Sequence, residues 1–322
     1  MSRGRFGLAR PHFGCFREAV RIPELLEEIR GIVATHARPD MRTPVDGLLV
    51  SEVDNSEPEY TLTAPLLVVM AQGGKRLLLG DQVLEYRAGQ YLVVTTDLPV
   101  TGHFIATPEV PSLALGLVLR PAVIASLLLE IPAADGSRAT VPERAIATGQ
   151  ADLDLLDAVA RLLRLLDRPA DAPVLAPLIE REILWRLLTG PHGAMLRQIG
   201  LAGSALTHVN RAIQWIRGNY AEPMRIEDLA RLAGLSTSAF HRHFRAVTNM
   251  TPLQFQKRLR LQEARELLVA RAGDVTGVGH LVGYDSPSQF NREYRRLFGA
   301  PPGQDATRLR ADATPHDSQH PS

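Results

Sequence analysis

A short helix–turn–helix pattern occurs twice near the C-terminal end of this chain. The first copy spans 226–248, IEDLARLAGLSTSAFHRHFRAVT. Its apolar residues recur at helical spacing, Gly234 provides a turn, and Ser236 stands where a helix N-cap hydroxyl is needed. In the following helix Phe240 and Phe244 share one face, and basic residues occupy the other. This order of elements is typical of a DNA-binding helix-turn-helix unit.

The second copy spans 274–302, DVTGVGHLVGYDSPSQFNREYRRLFGAPP, with Gly283 at its turn. Four residues of the first copy have counterparts in the second at one constant offset. These pairs are Ser236/Ser286, Phe240/Phe290, Arg242/Arg292 and Phe244/Tyr294. One such unit alone could equally be a helical hairpin with a solvated basic face. A repeat with a constant offset is hard to obtain from a solvated surface, so it favours two DNA-binding units.

Between the two copies, Thr251 and Pro252 begin the long apolar-striped segment PLQFQKRLRLQEARELLVA. As a helix it would be roughly 28 Å long at 1.5 Å per residue. Successive major grooves on one face of DNA lie about 34 Å apart. One rigid helix could therefore place two recognition helices in adjacent grooves.

These segments closely resemble the C-terminal domain of the AraC/XylS family of bacterial transcription regulators. The resemblance rests on GLSTSAFHRHF, TPLQFQKRLRLQEARELL and, most specifically, VGYDSPSQFNREYRRLFGAPP. It implies a transcription regulator, activator or repressor, that binds double-stranded promoter DNA, with RNA polymerase as a further partner. Gly277 and Gly279 depart from the family pattern, in which alanine is more usual. Because each glycine costs about 1 kcal/mol of helix propensity, we expect a looser second unit.

Charge is distributed unevenly along the chain. Residues 205–310 carry sixteen Lys and Arg against nine Asp and Glu, whereas 1–204 carry twenty against twenty-four. A basic C-terminal domain beside a mildly acidic N-terminal one favours nucleic-acid binding by the former. Basic surfaces also aid solubility, so the charge supports the motif without establishing it.

The exposed faces of the two recognition helices supply the predicted DNA contacts. Arg242 and Arg292 suit bidentate hydrogen bonds to guanine O6 and N7. The remaining candidates divide into readers of neighbouring base edges, namely Ser238, His241, Ser288 and Asn291, and phosphate contacts, namely Arg245, Arg295 and Arg296. Alternatively, the two guanine readers could be structural, with Arg242 paired to Glu263, and Arg292 paired near Glu293 or to Asp285.

From 47 to 119 the chain consists of short apolar runs separated by Gly, Pro and Asp turns. This spacing predicts an antiparallel barrel or sandwich. The block PLLVVMAQGGKRLLLGDQVLEYRAGQYLVVTTDLPVTGHF resembles the cupin-like N-terminal domain of one AraC subgroup, which implies that a small effector binds inside. We select Tyr91, Val93, His103 and Ile105 as lining residues because alternate strand positions share a face. Sequence alone does not decide which parity points inward.

Apolar helical stripes follow over 152–167 and 177–188. Such faces usually pack on their own domain, but family members also use helices at this position to form homodimers, so dimerisation is expected. The predicted fold is α+β with two domains: a cupin-like antiparallel β-barrel with flanking helices, and an all-α domain. The predicted segments are a flexible arm (1–21), the effector and dimerisation domain (22–190), a linker (191–206), the DNA-binding domain (207–310) and a disordered tail (311–322).

No constellation of catalytic residues is evident. His103 is the one histidine of the predicted barrel, so we expect no metal, cofactor or enzymatic activity. Cys15, the single cysteine, could be a sensor or an alkyl-accepting nucleophile, or simply a free thiol in the arm. Lacking a disulfide pair, a signal peptide or a membrane span, the protein is expected to be soluble and cytoplasmic. Two alternatives stay open: a constitutive DNA-binding dimer without a ligand, and a cupin-type enzyme fused to a DNA-binding domain.

Overall fold

The structure, a computed structural model, describes residues 13–130, 144–271 and 273–312. It contains two antiparallel sheets that stack face to face, flanked by helices, followed by an all-helical C-terminal region. The predicted α+β fold class is therefore confirmed. The strands form a two-sheet sandwich.

The described residues include nine strands, which fall into a five-stranded sheet of order β1-β8-β3-β6-β9 and a four-stranded sheet of order β2-β7-β4-β5. Their bounds are β1 Leu48–Val53, β2 Pro58–Thr63, β3 Leu66–Gln72, β4 Gly74–Leu79, β5 Gln82–Arg87, β6 Gln90–Val94, β7 Leu98–Ile105, β8 Ser112–Val118 and β9 Ile146–Gln150. Every pairing between neighbouring strands is antiparallel.

The five-stranded sheet is buried on both faces, which explains its continuous apolar runs. Along β3, Leu67 and Val69 pack against the helices of the N-terminal domain. Met70 and, on β6, Leu92 face the other sheet, where they meet Tyr86. A strand covered on both sides carries apolar residues at every position, so its alternation is hidden.

Within the described ranges, five helices accompany the sandwich: α1 Phe13–His36, α2 Pro121–Glu130, α3 Leu153–Arg164, α4 Ala172–Thr189 and α5 Gly193–Gly200. A short 3₁₀ turn, Leu165–Asp167, follows α3. Helix α1 places Leu25, Ile29 and Val33 in the same apolar cluster as the five-stranded sheet. No helix among the described residues has both the length and the apolar character that a bilayer span requires.

Helix α1 begins earlier than expected. The predicted arm ends at 21 and Pro23 is a plausible first helical residue, yet Pro23 lies inside α1. Proline in a helix removes one hydrogen bond without always ending the helix, so it is an ambiguous start signal. Residues 1–12 of the arm and the side chain of Cys15 lie outside the described residues, as do 313–322 of the predicted tail.

The predicted linker over 191–206 is largely helical. It contains α5, whose Met195 and Leu196 are buried in the N-terminal core. The next helix begins at Ala205, capped by Ser204, whose hydroxyl oxygen accepts a hydrogen bond from Thr207 N at 3.1 Å. Only a short turn therefore separates α5 of the N-terminal domain from the first helix of the C-terminal region.

The C-terminal region contains seven helices among the described residues: α6 Ala205–Gly218, α7 Ile226–Leu232, α8 Thr237–Thr248, α9 Pro252–Ala270, α10 Val275–Leu281, α11 Pro287–Phe298 and α12 Pro302–Asp312. The all-α character and the long helix between the two units are confirmed. Thr251 caps α9 through a capping box with Gln254. The final helix extends past 310, where the DNA-binding domain is predicted to end.

The helical region and the sandwich share one apolar core. Leu79 and Leu98 of the sandwich belong to the same buried cluster as Ile213 and Phe244 of the helices. Polar contacts reinforce the junction, since Arg217 pairs with the buried carboxylate of Asp97. The first helix-turn-helix unit is thus fixed against one end of the sandwich.

A buried carboxylate stabilises the second unit. Asp305 is fully buried; it accepts hydrogen bonds from Arg265 Nε at 2.8 Å, Arg308 Nη2 at 3.1 Å and Tyr294 Oη at 2.9 Å. Burial alone would raise the pKa of Asp305, but these hydrogen bonds hold it below the ordinary value. A depressed carboxylate pKa stabilises the fold above the unfolded-state pKa, and that contribution is lost as the pH falls through the folded-state pKa.

We expect Asp305→Asn to lower the free energy of unfolding by about 3 kcal/mol, because it leaves buried guanidinium charge unpaired. Urea unfolding at neutral pH measures this change. The matched control is Asp228→Asn, which removes an exposed partner of Arg231 and should cost less than about 0.5 kcal/mol. Equal effects of the two substitutions would contradict a stabilising role for the buried network.

Candidate nucleic-acid interface

The first helix-turn-helix unit is built as its sequence predicts. Gly234 adopts a φ of 69° after α7, and Leu235 N donates to Ala230 O at 2.9 Å to close the turn. The hydroxyl oxygen of Ser236 then accepts from Ala239 N at 3.3 Å, which caps α8. Left-handed backbone favours glycine, and a serine cap satisfies an otherwise unpaired amide.

The inner face of α8 holds the helix in place. Phe240 and Phe244 are completely buried, and Phe244 meets Phe255 of α9 edge to face with 5.6 Å between ring centroids. Edge-to-face packing is a favoured aromatic geometry. The opposite face is left to solvent, and the four predicted DNA-contacting residues of α8 are all exposed there: Ser238, His241, Arg242 and Arg245.

The alternative role for Arg242 as a partner of Glu263 is not realised. Among the described residues, no carboxylate lies within ion-pair distance of Arg242. Burial raises the pKa of Glu263, and the cation that opposes this shift is Arg217. The guanidinium group of Arg242 is therefore available to an external partner.

The second unit repeats this construction. Gly283 has a φ of 88°, and Tyr284 N donates to Gly279 O at 2.9 Å. The hydroxyl oxygen of Ser286 accepts from Gln289 N at 3.3 Å, and Pro287 is the first residue of α11. A Cβ at Gly283 would lie 2.2 Å from Ala221 O, so the close approach to the turn between α6 and α7 also requires glycine here.

Helix α11, like α8, buries an aromatic face and exposes a polar, basic one. Phe290, Tyr294 and Phe298 are buried. The predicted DNA-contacting residues of α11 are all exposed: Ser288, Asn291, Arg292, Arg295 and Arg296. The amide group of Asn291 donates to Pro287 O at 2.8 Å, which directs its nitrogen onto its own helix.

Glu293 does not neutralise Arg292. Its carboxylate accepts from Lys257 Nζ at 2.9 Å, Tyr284 Oη at 2.9 Å and Gln289 Nε2 at 3.2 Å. Burial alone would raise the pKa of Glu293, but these donors hold it below the ordinary value. Within the described part of the chain, Arg292 has no carboxylate partner, and the predicted alternative with Glu293 or Asp285 is not formed.

Arg260 of α9 fixes the two units relative to each other, and sequence reasoning misses it. Its guanidinium donates to Tyr220 O at 2.6 Å, Ala221 O at 3.1 Å and Gly283 O at 2.7 Å. The turn between α6 and α7, which leads into the first unit, is thereby tied to the turn of the second unit. No local signal marks this role, because an arginine in an amphipathic helix is ordinarily assigned to solvent.

The prediction that Tyr91 and Val93 line an effector cavity inside the sandwich is wrong. Both belong to the apolar cluster between the five-stranded sheet and the N-terminal helices. Their neighbours Leu92 and Val94 belong to the cluster between the sheets. Because β6 is buried on both faces, its composition does not show which alternate residues face the other sheet.

His103 and Ile105 also lie on the opposite face of their strand from the one predicted. Val100, on the same strand, belongs to the cluster between the sheets. Successive side chains of a strand alternate between faces, so the odd-numbered positions of β7 point outward. His103 is paired in register with the exposed Arg76. All four predicted effector-lining residues therefore lie outside the space between the sheets.

A charged pair that the sequence does not reveal does lie on the inner face of the four-stranded sheet. Lys75 shares that face with Leu77, donates to Glu59 Oε2 at 2.5 Å and lies 4.0 Å from the ring centroid of Phe104. Its side chain is only 15% exposed. A lysine in a strand is normally expected to face solvent, so the sequence does not predict this inward-facing position.

Across the described ranges, no group of three or more His, Cys, Asp or Glu could hold a metal ion.

Two family models match this chain. One describes the N-terminus of AraC-type transcriptional regulators and matches residues 44–195. The other describes a helix-turn-helix domain and matches residues 229–308. The first range covers the strands and helices α2 to α4, and the second includes both recognition helices.

Two curated regulators are similar to the chain. It is 27% identical over 162 residues to the HTH-type transcriptional regulator ArgR of Pseudomonas aeruginosa, covering 50% of this chain and 47% of ArgR. It is 29% identical over 151 residues to the HTH-type transcriptional activator RhaS of Salmonella paratyphi B, covering 46% of this chain and 53% of RhaS. The chain thus spans about half the length of the curated relatives it matches.

The fold is also similar to a solved structure. Apo ToxT of Vibrio cholerae aligns with a TM-score of 0.52 at 9% identity, covering 83% of this chain and 99% of that chain. ToxT with an unsaturated fatty acid bound aligns with a TM-score of 0.50 at 8% identity, over 83% and 97%. At such low identity the similarity concerns the fold alone.

Gly279 has a packing role that the expectation of a looser second unit does not include. A Cβ at this position would lie 3.0 Å from Cδ1 of the completely buried Phe290. We expect Gly279→Ala to lower the free energy of unfolding by about 1–3 kcal/mol through overpacking, despite alanine's better helix propensity. Urea unfolding of the two proteins gives this difference.

The control for this prediction is Gly31→Ala in α1, where a Cβ would meet no atom within 4 Å. There the helix-propensity gain should appear as up to about 1 kcal/mol of added stability. If both alanine variants were stabilised alike, close packing against Phe290 would not be the reason for Gly279.

Proposed function

This chain belongs to the AraC family of bacterial transcriptional regulators, and from that premise we propose that it is a sequence-specific DNA-binding regulator of promoters. One observation carries the proposal. In two helix-turn-helix units, the second helix is capped by a serine, buries an aromatic face and exposes a polar, basic one. In such units the exposed helix enters the DNA major groove. The bacterial cytoplasm, where promoters and RNA polymerase occur, is the proposed place of action, with the polymerase as a further partner.

Within this proposal, Arg242 and Arg292 read guanine. Both are exposed, and within the described residues both lack a carboxylate partner, so their planar donor pairs are free to bind O6 and N7. Ser238, His241 and Ser288 contact neighbouring base edges. Asn291 also contacts a base edge once its side-chain amide breaks the hydrogen bond that Nδ2 donates to Pro287 O.

The phosphate contacts are assigned to Arg245, Arg295 and Arg296. They lie nearer the C-terminal ends of α8 and α11, where the helices leave the groove. Contacts of this kind add affinity without sequence information and make binding depend steeply on salt.

We expect Arg242→Ala to weaken binding to the specific site by about 1–3 kcal/mol and to relax the preference at one base pair. The assay is a footprint on DNA flanking the protein's own gene, followed by titrations on single-base variants over a salt series. The matched variant is Arg295→Ala, which should weaken all sequences equally and lower the salt slope by about 1. Uniform weakening by Arg242→Ala would rule out its base-reading role.

We further propose that a small molecule bound between the two sheets modulates DNA binding. The related fold of ToxT has been crystallised with an unsaturated fatty acid. In this chain, the ammonium group of Lys75 is a cation on the inner face of the sandwich, held by Glu59. A ligand favouring one arrangement of the domains would shift the population that is competent for DNA.

One observation favours the alternative of a constitutive regulator without a ligand. Met70, Leu79 and Tyr86 are almost completely buried and fill the region between the sheets. A screen in which no compound alters thermal stability or DNA affinity would support this alternative.

We propose that the protein is a homodimer that associates through α4. Helix α3 is largely buried, so it is not available to a partner. Helix α4 instead exposes an apolar stripe, with Val174 68%, Leu178 60% and Trp185 41% exposed. These residues lie on one helical face, and exposed apolar patches of this kind mark protein–protein contacts.

We expect Leu178→Asp to convert the dimer to a monomer, because it places a charge at the centre of the apolar stripe. Sedimentation velocity at micromolar concentration measures the change. Val83→Asp serves as the control, since Val83 is 59% exposed but lies on β5, away from α4. A wild-type monomer, or a dimer that survives Leu178→Asp, would exclude this interface.

A further inference from the structure

An open cavity lies where the sandwich meets both helix-turn-helix units. Its volume is about 480 Å³, within the range of small-molecule sites. The turn between β4 and β5 contributes Gly80 and Asp81, the end of α8 contributes Arg245, and the end of α11 contributes Arg296. Helix α9 contributes a further wall, and other residues of α11 and of the segment after α8 complete the lining. A ligand here would touch the N-terminal domain and both DNA-binding units at once.

The cavity has an excess of unpaired positive charge. Of its two carboxylates, Glu293 is engaged by Lys257, and Asp81 Oδ1 accepts from Asn249 Nδ2 at 2.6 Å. Its three guanidinium groups belong to Arg245, Arg258 and Arg296. Within the described residues, none of the three makes a hydrogen bond or ion pair with a carboxylate.

Arg258 is the most unusual of the three because it is partly buried. It lies in α9 beside the buried residues Leu259 and Leu261. Burial lowers the pKa of Arg258, and the nearby Tyr60 hydroxyl offsets this only in part. A charge removed from water without a partner is costly, and such residues cluster at binding sites.

The floor of the cavity is apolar. Met250 and Leu261 line it and are 2% and 3% exposed, and Leu297 adds to this wall. A cationic group above an apolar floor suits a ligand that has one anionic end and a short apolar body.

We propose that this cavity binds a small organic anion, whose anionic group pairs with Arg258 while its apolar body contacts Met250 and Leu261. This site is separate from the space between the sheets, so it does not depend on the effector proposed there. The occupied cavity joins the β4–β5 turn to Arg245 and Arg296, the ends of the two recognition helices. Binding therefore favours the arrangement in which the sandwich and both units are docked together.

The test uses the full chain and hexanoate as the probe, with hexan-1-ol as its neutral counterpart. Isothermal titration calorimetry should show saturable hexanoate binding with a dissociation constant below about 1 mM, and much weaker binding of the alcohol. Arg258→Gln should weaken hexanoate binding about tenfold or more, since it removes a charge-assisted contact. Arg231→Gln, an exposed arginine of α7 outside the cavity, should leave it unchanged.

A second variant, which should strengthen hexanoate binding, keeps the test independent of folding defects. Asp81→Asn removes the exposed carboxylate at the rim while retaining an acceptor for Asn249. It should strengthen hexanoate binding severalfold, because it removes charge repulsion. Circular dichroism melting should show Arg258→Gln to be at least as stable as the wild type, because the lost charge has no partner.

Two results would overturn the proposal: equal hexanoate binding by the wild type and Arg258→Gln, and no hexanoate binding by the wild type. The second result could be accompanied by weaker DNA binding and a smaller salt slope in Arg258→Gln. In that case the anion at Arg258 is a DNA phosphate, and the cavity belongs to the DNA interface.

Discussion

The geometry of DNA reading depends on the hydrogen bonds of one side chain, Arg260. Its guanidinium reaches Tyr220 O and Ala221 O in the turn after α6 and Gly283 O in the turn of the second unit. A side chain at Gly283 would collide with Ala221 O, so the two backbones can touch only because this residue is glycine. Five donors in a rigid planar group suit this task, which a lysine could not perform. The spacing of the two recognition helices is thus a property of the protein and not of a flexible connection.

The same region is attached to the sandwich at several points. Asn249 at the end of α8 donates to Leu79 O at 2.9 Å, and Ala145 N donates to Val247 O at 3.1 Å. At the second unit, the Tyr60 ring packs on Phe298 with 4.6 Å between centroids. The N-terminal domain therefore contacts the ends of both recognition helices. A change in its conformation has a direct route to the residues that meet DNA.

The sequence predicts the C-terminal domain well because its signals are local. N-cap serines, left-handed glycines and aromatic residues at helical spacing each act within one turn of helix, so α8 and α11 and their exposed faces follow directly. The effector-lining residues fail for the opposite reason. Which residues of β6 face the other sheet depends on what covers each face of the strand. Because Tyr91, Leu92, Val93 and Val94 are all buried, the sequence of the strand does not distinguish its two faces. Strand β2, PEYTLT, is also missed because it is polar, and Arg260 because its partners are backbone groups distant in sequence.

The two helix-turn-helix units differ in what supports them. The core of the first continues into the sandwich, whereas the second has a smaller cluster of its own around Phe290 and Tyr294. Segments with separate cores open as separate cooperative units. The first unit is therefore held rigidly by the sandwich. The second unit can change its conformation at a lower free-energy cost, so it can adjust to an imperfect DNA sequence. In related genomes, the half of an operator read by the second unit should accordingly drift faster than the half read by the first.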